Sequence, residues 1–298
     1  KPGTNSPFRP APKERAGLGL RFADAHAHVN PVRGLRPSEL ASRFLEVGGW
    51  FVALVSLSPW DYGLGLSDPK AAYEAVLKAH EAACREAREA GLRVACIAGL
   101  HPADVDKLVD AGMKASDVLE LGVSVARQVV SLCRAGRMDG IGEVGRQHYR
   151  TGAERALVSE IILEEAALMA QDEGCVIHMH LEDVGPDTVV LTHRALSRVG
   201  VRPSPRIVFH HAKPSMVDAS LSLGYSVTVP GRPQIISEAL RRGRGFMVES
   251  DFPGVETPRS LAPWHLPAAE AEALNGNEEA LGVINVDSVV RAYGVEPP

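Results

Sequence analysis

The sequence predicts a parallel (β/α)8 barrel of the α/β class, and three observations carry that expectation. Short apolar runs alternate with longer amphipathic stretches, the runs number eight, and histidines and acids gather at the ends of those runs. Strand and helix in strict alternation require helical crossovers and therefore parallel pairing, and eight such units close into a barrel more readily than they form an open sheet. A length of 298 residues admits one such domain, since barrels of this kind commonly run to about 250 residues.

Residues 1–19 mix proline, glycine and charge without period and read as a surface-lying or poorly ordered arm ahead of a barrel domain over 20–298. The expected strands follow at 21–29, 51–57, 92–100, 138–145, 175–181, 206–211, 225–230 and 245–251. Each is a short apolar run. Helices are expected at 70–90, 116–135, 154–173 and 214–223, where apolar residues recur at three- and four-residue steps. Gly91 and Gly174 stand where a helix C-terminus wants a residue free to turn left-handed. Beyond 252, Pro253, Pro258, Pro263 and Pro267 predict a long loop over the barrel mouth, and 268–282 a closing helix.

Composition narrows the function. The hydrophobic fraction of 45% and charged fraction of 23% are those of a globular chain and exclude disordered and collagen-like readings. A formal charge of −5 supplies no global field toward nucleic acid or anionic lipid, although a local basic groove is compatible with it. No run of apolar residues approaches a membrane span, and the proline-rich start has no signal-peptide core, so a cytoplasmic protein is expected. Cys84, Cys96, Cys133 and Cys175 form no CxxC pair and are expected as reduced thiols, mostly buried.

The chemistry collects at predicted strand ends, the face on which barrel active sites are built. Side chains two apart on a strand share a face, so His26 and His28 can approach one ion. Glu143 ends the fourth strand, histidines end the fifth and sixth, and Asp251 ends the eighth. Imidazole and carboxylate without thiolate suit an open, reactive divalent ion, and six donors exceed what one catalytic zinc needs. Two ions of zinc, manganese or magnesium, with Glu143 between them, are therefore expected. His80, His148, His193 and His265 lack this context and are assigned to surface or packing, while Asp24 is placed behind the ligands as a buttress. The Gly-Leu-Gly fragments at 17–19 and 63–65 fall short of a dinucleotide fingerprint and read as turns.

DAHAH at 24–28, GLHP at 99–102, GEVG at 142–145, VIHMH at 176–180, the histidine after the sixth strand and ESD at 249–251 together resemble the TatD-type metal-dependent hydrolases of the amidohydrolase superfamily, in a divergent archaeal-like branch. The resemblance covers most of 22–251 and implies metal ligands at His26, His28, Glu143, His178, one of His210 and His211, and Asp251. Regular alternation would let only one of His210 and His211 face inward, and the branch resembled favours His211. His101, His180, His210 and Arg146 are expected to face substrate. Arg146 and Gln147 replace the Leu-Asp pair that typical members carry after GE(I/V)G, and His180 stands where they have an arginine. The expected activity is binuclear hydrolysis by a metal-bound hydroxide with Asp251 and Glu143 as catalytic acids or bases. The substrate that the resemblance implies is a phosphoester at a nucleic-acid end, with an amide, ester or lactone as the alternative.

Overall fold

The computed structural model describes residues 21–298, so the expected arm at 1–19 lies outside the described residues. Eight strands run β1 (Phe22–His28), β2 (Gly49–Val55), β3 (Arg93–Ala98), β4 (Gly140–Gly145), β5 (Val176–His180), β6 (Ile207–Phe209), β7 (Ser226–Pro230) and β8 (Met247–Glu249). They lie side by side in sequence order, and each neighbouring pair is parallel. The ring closes just past β8: Ala27 bridges Phe252 in parallel, Asp251 N–H donates to His26 O at 2.9 Å, and His28 N–H donates to Phe252 O at 2.8 Å. The chain is a single-domain (β/α)8 barrel.

Helices α1 (Pro37–Glu46), α2 (Pro69–Glu89), α3 (Pro102–Asp110), α4 (Ala115–Arg134), α5 (Ala153–Glu173), α6 (Pro186–Arg198), α7 (Val217–Ser222) and α8 (Pro233–Leu240) alternate with the strands, and α9 (Leu266–Leu274), α10 (Glu278–Gly282) and α11 (Ser288–Tyr293) end the chain. Proline opens five of the first eight, α1, α2, α3, α6 and α8. At that position its missing N–H costs nothing and its fixed φ favours the helix. The expected closing helix at 268–282 is two helices, broken where Asn275 takes φ 46° and Gly276 follows. Two residues in left-handed geometry cannot continue a right-handed helix.

Two apolar cores result. One lies between the barrel wall and its helices, built from outward-facing residues such as Val52, Leu54, Val94 and Ile177 and helix residues such as Phe44, Leu77 and Val129. The other fills the barrel with Phe51, Val55, Ile97, Val176, Val208 and Met247, together with Val289, Ala292 and Tyr293 of α11. The last helix therefore plugs the end of the barrel opposite the strand C-termini. Asn285 ties that plug to β1 and β2, accepting from Ala23 N–H at 2.8 Å on its side chain and from Trp50 Nε1 at 2.9 Å on its carbonyl.

The thiol expectation needs one correction. Cys84 on α2 and Cys96 on β3 form a disulfide, with Cα atoms 5.8 Å apart, whereas Cys133 and Cys175 are free. The strand's outward face meets the helix's inward face there, a juxtaposition that neither position shows in sequence. Among the described residues, no helix is long and apolar enough to cross a membrane.

Candidate metal centre

Glu143 is the hub. It is buried at the end of β4, and its two carboxylate oxygens face different histidine pairs. Oε2 lies 3.8 Å from His26 Nε2 and 3.7 Å from His28 Nε2. Oε1 lies 3.0 Å from both His180 Nδ1 and His210 Nε2. Asp251 Oδ1 completes the first side, 3.9 Å from His26 Nε2 and 3.5 Å from His28 Nε2. Local sequence makes this possible. A Cβ on Gly142 would sit 2.8 Å from His178 Cβ, and one on Gly145, at φ 147°, would run into the His180 carbonyl. The glycines of GEVG thus let β4 and β5 approach closely enough to share one site.

The buried carboxylate and imidazoles fix one another's protonation. Burial raises the Glu143 pKa, but His210 and His101 outweigh it and hold the carboxyl well below its usual range. Burial alone would depress His210; Glu249 and Glu143, one at each ring nitrogen, instead raise it well above an ordinary histidine. His28 donates Nδ1–H to Val55 O at 2.9 Å, which turns its Nε2 toward Glu143 and Asp251, and these carboxylates outweigh burial and raise its pKa. His26 Nε2 is buried with no hydrogen-bond partner, a costly state for a polar atom unless something else takes its lone pair. The donor set and this orphaned nitrogen fit a divalent cation. Three groups of side chains bring candidate ligand atoms within 4.8 Å of one another here: His26, His28 and Glu143; His101, Glu143 and His180; and His210, His211, Glu249 and Asp251.

Several residues stand elsewhere than expected. His178 was anticipated as a ligand, yet both its nitrogens are engaged: Nδ1 meets His26 Nδ1 at 2.9 Å and Nε2 meets Tyr293 Oη at 2.7 Å. His180, two residues on along the same strand face, stands roughly 6–7 Å nearer the mouth and supplies the nitrogen that meets Glu143. His210 and His211 were held to be mutually exclusive. However, β6 ends at Phe209 and His211 adopts φ 53°, so alternation lapses and both rings reach Glu249, at 2.9 and 2.8 Å. His210 is the buried one, and His211 is half-exposed and also 3.3 Å from Asp251 Oδ2. Arg146 was anticipated on substrate, but its guanidinium is taken up by Glu182, Glu160 and Thr192.

His101 caps α3 by accepting Ala103 N–H on Nδ1 at 3.0 Å, so its Nε2 carries the proton, 3.3 Å from His180 Nδ1 and 3.9 Å from Glu143 Oε1. Burial lowers its pKa to about 4, leaving it a neutral N–H donor facing the site. Asp24 Oδ1 accepts from the backbone N–H of His26 and of Ser250, at 3.2 and 3.0 Å, and so ties β1 to the segment just past β8.

Sequence reading passed over three contributors. Glu249 is fully buried and accepts from Thr228 Oγ1, His210 and His211. Its position two residues before Asp251, within the ESD run at 249–251, was the available signal. His148 was assigned to surface or packing, yet Nδ1 is 2.6 Å from His180 Nε2. Its place on the loop after β4 was the hint, because such loops form the catalytic face. Tyr293 lies 115 residues beyond His178 in the chain and carried no signal.

A closed eight-stranded barrel with imidazoles and carboxylates converging at the carboxyl ends of its strands is the architecture of the metal-dependent hydrolases, and this chain is one. More narrowly, it belongs to the family described as TatD related DNase, whose model matches residues 23–280. Uncharacterized protein MJ1127 of Methanocaldococcus jannaschii is 21% identical over 289 residues, covering 93% of this chain and 97% of that protein. Among solved structures, the TatD homologue YJJV of Escherichia coli superposes with a TM-score of 0.62 at 14% identity, over 93% of this chain and 99% of that one. A TatD-like protein of Archaeoglobus fulgidus gives 0.60 at 18% identity, over 92% and 100%. The organophosphorus hydrolase of Deinococcus radiodurans gives 0.55 at 16% identity, over 93% of each chain.

Proposed function

We propose that the chain is a two-ion phosphoesterase that trims nucleic-acid ends. The observation that carries this reading is the split of Glu143, each oxygen facing its own histidine pair. One ion would be held by His26, His28, Glu143 and Asp251, and the second by Glu143, His180 and His210, with His211 at the rim. Such ions acidify water toward neutral pH and polarise the scissile phosphoryl group.

The protein's own groups do the remainder. Asp251, a third exposed and held down to about 2 because its bond to His28 outweighs burial, stays ionised and accepts the proton of the attacking water. His101 Nε2–H donates to a substrate oxygen and gains strength as charge develops there. His178 in this reading supports His26 from behind.

Digestion of an end-labelled single-stranded DNA with Mn²⁺ or Mg²⁺, beside Asp251→Asn, tests the proposal. A ladder of shortened products that the variant loses supports it, and an intact oligonucleotide in the presence of bound ion sinks it. The second reading, hydrolysis of a small ester, lactone or phosphotriester, is favoured by one observation: Arg146, the cation anticipated for an anionic substrate, is already paired with Glu160 and Glu182.

A further inference from the structure

We propose that Tyr293, at the end of the plugging helix α11, is a positioning residue that sets which nitrogen of His26 is offered to the metal ion. A hydrogen-bond chain runs up the barrel from Ala25 O to Tyr293 Oη at 3.0 Å, on to His178 Nε2 at 2.7 Å, and from His178 Nδ1 to His26 Nδ1 at 2.9 Å. Its direction is fixed at one end. A backbone carbonyl can only accept, so the tyrosine hydroxyl spends its single proton on Ala25 O and must accept from His178 Nε2–H. A neutral His178 then has only a lone pair at Nδ1, so His26 must donate there from its own Nδ1–H. That leaves His26 Nε2 deprotonated, buried, otherwise unpartnered, and 3.8–3.9 Å from Glu143 and Asp251.

Both rings are suited to this relay because burial, first of all, lowers their pKa and keeps them neutral. Reversal of any one bond would place a proton on His26 Nε2, where the ion needs a lone pair. The acceptors behind metal-binding histidines are commonly carboxylates or carbonyls, and their loss costs 10–100-fold in affinity. Here the carbonyl acts at a distance, through a phenol and a second imidazole. The relay explains why a histidine on β5 points its nitrogens sideways and down while His180 faces the hub.

The inference rests on the reading that His26 binds an ion, and the experiment separates the two. Chelated wild-type protein labelled with 15N-histidine is examined by long-range 1H–15N correlation, with His26→Ala and His178→Ala used for assignment. His26 as the Nδ1–H tautomer and His178 as the Nε2–H tautomer are expected, and the opposite pair overturns the relay whatever the ion does. Mn²⁺ and Zn²⁺ affinities are then taken by chelator competition for wild type, Tyr293→Phe and Val289→Ala. Val289 packs on the same helix in the same core but makes none of these bonds. Tyr293→Phe should lose tenfold or more in affinity, with His26 shifting tautomer, while Val289→Ala loses stability and binds as before. Equal affinity in Tyr293→Phe and wild type, or equal losses in both variants, overturns the relay. Wild type that takes up no ion, or His26→Ala that binds like wild type, overturns the metal-site reading instead.

Discussion

Replacing Glu249 by glutamine tests whether the centre is assembled by charge before any ion arrives. The side chain is fully buried at the end of β8, His210 Nδ1 lies 2.9 Å from Oε2, His211 Nδ1 lies 2.8 Å from Oε1, and Thr228 also donates. Burial raises its pKa, yet His210 and His211 overcome that and hold it well below the carboxylate range, while His210 is correspondingly held cationic. Unit charges 2.9 Å apart at an effective dielectric of about 20 attract by roughly 6 kcal/mol, much of it consumed by burial. Removing one member of a buried charged pair costs about 3–5 kcal/mol, and Glu143 alone would then answer the His210 charge. Glu249→Gln should therefore lose about 3–5 kcal/mol in urea unfolding of chelated protein near pH 6. Glu256→Gln, which breaks an exposed pair with Arg43, should stay within about 0.5 kcal/mol. A loss below about 1 kcal/mol for Glu249→Gln would show that the histidines are arranged by packing and not by this carboxylate.

Gly145→Ala should cost about 3 kcal/mol or more and disturb ion uptake, because the new Cβ meets the His180 carbonyl at a left-handed φ; a variant as stable as wild type in thermal unfolding contradicts the close approach of β4 and β5. Burial lowers His80 to about 4 from the 6.5 of an open chain, so below pH 6.5 the unfolded state binds a proton that the folded state refuses. Stability should thus fall on acidification from about pH 6.5 to 4 by about 3 kcal/mol on this account, read as the wild-type minus His80→Gln difference in urea midpoints; a difference that does not change with pH refutes it. Ion uptake must displace the proton that Glu143 and Glu249 stabilise on His210, so calorimetry in buffers of different ionisation heat should report proton release and affinity should rise with pH; His210→Gln should abolish that release.

Alternating periods were enough to locate all eight strands within a few residues, because strand and helix patterns are local properties of the chain. The same reading brought His26, His28, Glu143 and Asp251 to one end of the barrel, since parallel strands deliver all their C-termini to a single face. Local sequence could not rank His178 against His180. Both lie on the inward face of β5, and the depth at which Glu143 sits across the barrel separates them. Nor could it assign His210 and His211, whose directions depend on where β6 ends and on a left-handed residue beyond it.

Sequence by itself determined the barrel and the end at which its imidazoles and carboxylates gather, because these follow from periodicity and from side-chain type. Tertiary structure alone decided which nitrogen faces what. It spent Arg146 on Glu160 and Glu182, joined Cys84 to Cys96, brought Glu249 under two histidines and carried Tyr293 from the last helix to His178. Each of these is a contact between residues remote in the chain or on different elements. Its energy depends on distance and burial, which exist only once the barrel has closed.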